Sequence, residues 1–181
     1  MINYKSLNIP DVVLIEPQVF DDERGYFFEP YNKKKFNDEV FLKDIEFVQD
    51  NFSFSKQNVI RGLHYQTAPF EQGKLVRVTY GSVFDVAVDI RKNSPTFGKW
   101  VGEILSFDNK KMLWIPPGFA HGFQVLSEEV NFEYKVTNYW NKKSEKTLLW
   151  NDPDIGIKWK SMTNIPIISL NDRNGKNICD I

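Results

Sequence analysis

One cysteine and two histidines in 181 residues leave little material for thiol or metal chemistry. Cys179 stands alone near the end of the sequence, so neither a disulfide framework nor a thiolate metal cluster is expected, and it is assigned no role. No apolar run approaches the ~18 residues of a spanning helix. The opening MINYKSLNIP lacks the hydrophobic core of a signal peptide, so a cytoplasmic protein without membrane contact is expected. Charge of one sign is equally scarce: 23 basic residues face 24 acidic ones, the net charge is −1, and Lys33-Lys34-Lys35 is the one run of three cations. That run reads as a solvated surface, and nothing forms the basic stripe that nucleic acid requires. Helical periodicity is rare as well. YNKKKFNDEVF (31–41) is the best candidate, and the tail past Glu145 holds short turns at most. Repeats, low-complexity segments and linkers are lacking, so 1–181 reads as one domain.

What the chain does have is aromatic and β-forming content, with 15% Phe, Trp and Tyr within 41% hydrophobic residues. Alternating runs recur in FVQDNF, KLVRVTY, VFDVAVDI, WVGEILSF, KMLWIP, GFQVL and NFEYKVTNYW, each a short strand candidate. The breaks carry turn chemistry: Gly81-Ser82, Asn93-Ser94-Pro95, Asp108-Asn109 and Pro116-Pro117-Gly118. Many short antiparallel strands imply an all-β sandwich, jelly roll or closed barrel. Period 2 places Lys74 with Val76, Val78 and Tyr80 on one face, and Tyr134 with Phe132, Val136 and Trp140. In VFDVAVDI, Phe84, Val86, Val88 and Ile90 share one face. Asp85, Ala87 and Asp89 share the other, which is either solvent or the interior of a barrel with a polar cavity.

Each candidate for chemistry has a plain structural reading beside it. PPGFAHGF sets Pro116, Gly118 and His121 in the P-x-G-x-x-H pattern of the second motif of metal-binding cupins, but the companion H-x-H is missing because Tyr65 and Gln66 follow His64. Two histidines without a thiolate fall short of the three ligands that such metals generally take, so no metal is expected. His64 by itself serves equally as a bonded core histidine or as a base. Arg61 and Lys74, if both face a cavity, would set two cations beside it, suiting an anionic substrate or a developing oxyanion; a solvated face is the alternative. Tyr134 reads as a core tyrosine, Arg24 as part of a charged turn closed by Gly25, and Asp172 in ISLNDRNG as a turn or cap residue.

Taken together, VFDDERGYFFEPYN, FVQDNFSFSKQNVIRGLHYQ, QGKLVRVTYGSVFDVAVDIRKNSPTFGKWVGEILS, LWIPPGFAHGFQVLSE, YKVTNYW and LLWNDPDIGIKW resemble, in order and over nearly the whole chain, the dTDP-4-dehydrorhamnose 3,5-epimerase family. The resemblance implies a cupin-type jelly-roll β-barrel with a few short peripheral helices. It further implies a cofactor-free isomerase that inverts C3 and C5 of a nucleoside-diphospho-4-keto sugar through a C4 enolate. By the same resemblance His64 is the general base, Asp172 orients it, Lys74 stabilises the enolate oxygen and Tyr134 returns a proton from the opposite face. Arg61 and Arg24 would meet the diphosphate, with Glu29, Gln49 and Asn51 in the same cleft. Asp85 and His121 would line the pocket as polar supports, and Phe27, Tyr139 and Trp140 would hold the nucleobase. A homodimer is implied, its N-terminal segment reaching the neighbouring site, so that Arg24 and Glu29 act in cis or in trans. Pro30, and Thr67 to Glu71, depart from the family's common pattern. They leave open a dTDP- or GDP-linked substrate and a 6-deoxyhexose or a heptose, while Tyr134 does not by itself decide between inversion at one centre or two. The rival readings are a GDP-4-keto-heptose epimerase of capsule synthesis, a nucleotide-sugar ketoisomerase and a non-catalytic sugar-binding cupin.

Overall fold

The alternating runs pair into two antiparallel sheets in the computed structural model, which describes residues 2–41, 43–161 and 164–181. One sheet has six strands in the order β1 (Asn3–Ser6), β2 (Val13–Glu16), β10 (Met112–Ile115), β7 (Lys74–Tyr80), β12 (Glu129–Val136) and β5 (Gln49–Lys56). The other has five, in the order β13 (Glu145–Thr147), β6 (Ile60–Gln66), β11 (Phe119–Val125), β8 (Ser82–Asp89) and β9 (Trp100–Ser106). A separate hairpin joins β3 (Phe20–Asp22) to β4 (Gly25–Phe27). Neighbours such as β2 and β10, far apart in sequence, make this the jelly roll of a cupin-type barrel rather than a meander. The turn signals fall between strands as expected, with Gly81 at φ +77° joining β7 to β8.

Three apolar clusters hold the barrel together. Between the sheets, Leu14, Val76, Leu113 and Phe132 meet Val83, Ala87, Phe119 and Phe123. Outside the larger sheet, the helix expected over 31–41 forms from Lys33 to Phe41. Asn32 caps α1 (Lys33–Lys35), and the chain widens into a π-helical stretch, Phe36–Phe41. The wider turn brings Phe36, Val40 and Phe41 onto one side, where they bury against Ile15, Leu75, Met112 and Trp114. Outside the smaller sheet, Phe84, Val86 and Val88 pack under Leu148, Ile155 and Ile178 of the C-terminal segment. Both faces of β8 are therefore covered, and Asp85 and Asp89 are each 0% exposed.

The two buried aspartates are satisfied differently. Asp89, at the end of β8, accepts from the backbone N–H and Nε of Arg91 at 3.0 and 2.9 Å, and from Ser94 Oγ and Thr96 Oγ1, each at 2.6 Å. Arg91 lies over the Phe119 ring at 4.7 Å, fastening the 90–99 loop to β11. Burial pushes the Asp89 carboxyl up, but its hydrogen bonds outweigh that and hold it well below the usual carboxylate range. A depressed folded-state pKa stabilises above the unfolded value and loses that contribution as pH falls. Asp89→Asn is therefore expected to cost about 2 kcal/mol in urea unfolding at neutral pH, with the gap from wild type closing in acid. A gap independent of pH would show that the carboxylate charge is not what fastens the loop.

Candidate active site

A cleft of about 470 Å³ opens between the sheets, lined by Gln49, Asn51, Arg61, His64, Lys74, His121, Tyr134, Trp140 and Glu145. The smaller sheet supplies its two imidazoles: β6 and β11 pair antiparallel with His64 opposite His121. Glycine makes this pairing close. Gly62 has φ +112°, and a Cβ there would lie 2.6 Å from the His121 carbonyl oxygen. A Cβ on Gly122 would in turn lie 2.5 Å from the Arg61 oxygen. The opposing sheet supplies Lys74 from β7 and Tyr134 from β12, with Tyr134 paired to Asn51 of β5.

His64 Nε2 meets Asp172 Oδ1 at 2.6 Å, the two side chains being 38% and 4% exposed. Asp172 rides on α2 (Leu170–Arg173), where Ser169 Oγ caps its backbone N–H at 3.1 Å, and its second oxygen accepts from the Gly62 N–H at 3.2 Å. Burial raises the Asp172 pKa, but the bonds from His64, Gly62 and Ser169 together outweigh it and lower the pKa on balance, so the carboxylate stays ionised and accepts a hydrogen bond from the Nε2–H of His64. That tautomer leaves His64 Nδ1 with its lone pair and no protein partner among the described residues.

Lys74 is buried and donates to the His64 carbonyl at 3.2 Å. Burial lowers its pKa to about 8, against the opposing pull of Asp85 and Glu145. Tyr134 is pushed the other way: burial first, then Glu145, raises its phenol, so it is a proton donor at neutral pH. His121 Nε2 lies 3.1 and 2.9 Å from the two oxygens of Asp85, and its ring stacks at 6.0 Å on Phe132. Burial depresses the imidazole and raises the carboxyl. Arg61 holds Ser55 Oγ and the Phe54 carbonyl at 2.8 and 3.1 Å while its side chain borders the cleft. Gln49 donates to Asn51 Oδ1 at 2.7 Å and accepts from the Trp140 N–H at 3.2 Å, so the three act as one wall.

Other expected residues stand apart within the protomer. Arg24 is exposed and bonded to Asp22, Glu29 is tied to Lys35 and Asn32, and Phe27 projects from the hairpin, all outside the cleft lining. Tyr139 has an exposed ring; its backbone carbonyl accepts from Gln66 and its N–H donates to Asn138 Oδ1. Asp85 sits behind His121 rather than on the wall. Sequence reasoning missed Glu145, which lay in the charged run NKKSEKT. Its pairing with Gln66 on β6 carries it to the cleft, and only that register reveals it. Each histidine spends Nε2 on a carboxylate, and among the described residues no three His, Cys, Asp or Glu side chains cluster to hold a metal.

An oriented imidazole on one wall, facing an ammonium and a phenol on the other, is equipment for moving a proton on a carbon acid. Comparison with known proteins agrees with that chemistry. The family model for dTDP-4-dehydrorhamnose 3,5-epimerase matches residues 6–180. A dTDP-4-dehydrorhamnose 3,5-epimerase from Shigella flexneri is 55% identical over 99% of this chain and 97% of its own. The structure of a dTDP-6-deoxy-D-glucose-3,5-epimerase from Legionella pneumophila, in complex with dTDP-4-keto-L-rhamnose, superposes with a TM-score of 0.95 at 46% identity, covering 100% of this chain and 95% of that one. A 3'-monoepimerase from Streptomyces bikiniensis, in complex with dTDP-quinovose, superposes at 0.89 with 28% identity over 97% and 87% of the two chains. Sequence, fold and cleft thus lead to one conclusion: the chain belongs to the dTDP-4-dehydrorhamnose 3,5-epimerase family, and it is an isomerase.

Proposed function

We propose that this protein inverts C3 and C5 of a dTDP-4-keto-6-deoxy sugar. The observation that carries the reading is the His64–Asp172 pair on one sheet opposite Tyr134 on the other, with buried Lys74 beside them. The C4 ketone acidifies the hydrogens on C3 and C5. His64 Nδ1 takes one, the C–H electron pair moves into the C–C bond toward C4, and the charge settles on O4. The Lys74 ammonium is the donor for that oxygen, a contribution typically worth about 10²- to 10³-fold. Tyr134 then protonates the same carbon from the other face, and solvent restores both groups. Inversion requires an acid and a base on opposite faces, because one group doing both would return the original configuration. Arg61 suits a phosphate oxygen through its forked donors, with Gln49, Asn51 and Trp140 bordering the nucleotide.

Arg24, Glu29 and Phe27 fit this reading in trans. The hairpin β3–β4 carries exposed Phe20 and Phe27 away from its own cleft, where a second copy of the chain could receive them. We take the working unit to be a homodimer, each chain one domain, in the cytoplasm; among the described residues no helix is long and apolar enough to cross a membrane.

Incubation with dTDP-4-keto-6-deoxyglucose in D2O tests the reaction. Deuterium at both C3 and C5 with the ketone still at C4 is expected. A ketone moved to C3 would make the protein a ketoisomerase, and reaction only with GDP-linked heptoses would replace the substrate. The monoepimerase similarity favours one specific alternative, inversion at C3 alone, and exchange confined to C3 would establish it. Tyr134→Phe is expected to keep wash-out of the substrate's own protons to within about tenfold while losing inversion by about 10²- to 10⁴-fold. Equal loss of both would remove Tyr134 from the acid role.

A further inference from the structure

The hairpin β3–β4 belongs to neither large sheet. Its strands pair only with each other, Phe20 opposite Phe27 and Asp21 opposite Tyr26, and every residue in them is exposed. An isolated two-stranded ribbon is marginal in water, so something outside it must fix its orientation. Directly opposed residues share a face and successive ones alternate, so Phe20 and Phe27 look one way while Tyr26 looks the other. Among the described residues, every ring contact of the hairpin runs through Tyr26. Its ring centroid lies 6.2 Å from that of Phe28, 6.2 Å from that of Phe107 on the turn after β9, and 4.1 Å from the Lys110 Nζ.

The turn that presents Lys110 leaves it little freedom. Asn109 Oδ1 accepts the N–H groups of Ser106 and Lys111 at 3.0 and 2.9 Å, and its amide donates to the Ile104 carbonyl at 2.9 Å. The Lys110 N–H closes on the Ser106 carbonyl at 3.0 Å, with the residue at φ +55°. Its ammonium donates to the Asp108 carbonyl at 3.2 Å, enters no ion pair among the described residues, and turns its charge on Tyr26, with the Phe107 ring at 5.8 Å. A recess of about 130 Å³ stays open between the hairpin and Val78 and Thr79 of β7, so close packing on the sheet does not set the hairpin's roll. The cation and the two rings do. We propose that Lys110 is a positioning residue of the reaction: resting on Tyr26 against Phe107, it fixes the roll of the hairpin and thereby the angle at which Phe27 and Arg24 are presented to a neighbouring copy's cleft. The proposal rests on the epimerase reading and on the hairpin acting in trans; Lys110 itself lies outside the cleft lining.

Lys110→Met removes the charge and keeps most of the stem. It is expected to raise KM for dTDP-4-keto-6-deoxyglucose about two- to fivefold, as loss of one exposed cation–π contact would, with kcat little changed. Lys110→Arg, which also stacks on an aromatic face, should restore KM. Lys110→Met added to Tyr26→Leu should cost no more than Tyr26→Leu alone, because both remove the same clamp. Additive losses, an unchanged KM, or a loss carried by kcat would each overturn the proposal. Mixed dimers, isolated from differently tagged chains, test the direction of presentation. When a Tyr26→Leu/Lys110→Met chain is paired with a His64→Asn chain, the site that keeps His64 receives the intact hairpin, so its KM should return to the wild-type value. A KM that stays raised overturns presentation in trans. Independently of activity, the Tyr26 ring should shift the Lys110 ε-methylene protons upfield in the NMR spectrum, and Tyr26→Leu should abolish the shift; unshifted protons overturn the clamp. Absence of exchange on every 4-keto sugar nucleotide by the wild type would instead overturn the epimerase reading, leaving the spectrum, and dTDP affinity in Lys110→Met, to judge the clamp.

Discussion

His64→Asn is expected to lose deuterium exchange at both C3 and C5 by at least ~10³-fold, while still binding dTDP. One base serves both carbons in the proposed reaction, so the two losses should be equal, and retention of exchange at either carbon would show a second base. Asparagine is chosen because its amide can still donate to Asp172, sparing the buried carboxylate the cost of losing its partner. With the native ring 38% exposed at its side chain, little packing is lost. Thermal unfolding should therefore move by no more than a few degrees. A protein that unfolds much earlier would assign His64 a structural part as well.

Lys74→Met should reduce kcat by about 10²- to 10³-fold, the usual worth of one donor to a developing oxyanion. Wild type has a companion signature. Burial lowers the ammonium to about 8, so kcat/KM should fall as pH rises through that value and the charge is lost. The methionine variant has no such charge, and its alkaline limb should disappear. Stability should run the opposite way. A buried lysine whose pKa lies below its unfolded value opposes folding where it is charged, so the variant should be the more stable one in urea at neutral pH. That advantage should shrink as pH rises toward the lysine's unfolded value. An alkaline limb unchanged in Lys74→Met would assign it to another group.

Some of this could be read directly from the residues. KLVRVTY and NFEYKVTNYW alternate because one face of the larger sheet turns inward, and that periodicity sends Lys74 and Tyr134 to the interior. RGLHYQ gave no such signal. β6 is paired on both sides, with Leu63 buried under the C-terminal segment and His64 half-exposed on the cleft wall, so the burial along it does not follow a simple alternation. The hairpin β3–β4 and strand β1 are short and exposed, with no buried stripe to announce them. VFDVAVDI left Asp85 and Asp89 between solvent and interior. Only the C-terminal cover over Phe84 and Val86 resolves that, and it arrives far along the chain. The pairing of His64 with Asp172 bridges 108 positions, and local sequence carries no trace of a contact at that separation. Glu145 was hidden for the same reason.

The mutual approach of Gly62 and Gly122 has a further consequence for anyone altering this cleft. With backbone against backbone at this point, the separation of the two strands that carry the imidazoles is set by hard contact. Redesign of the pocket for a new sugar therefore has fixed and adjustable parts. The spacing between the two strands is a ruler that substitutions elsewhere leave alone, and any library that varies Gly62 or Gly122 spends its members on broken strands. Adaptable volume lies where Gln49, Asn51 and Trp140 line the cleft through side chains that can be exchanged.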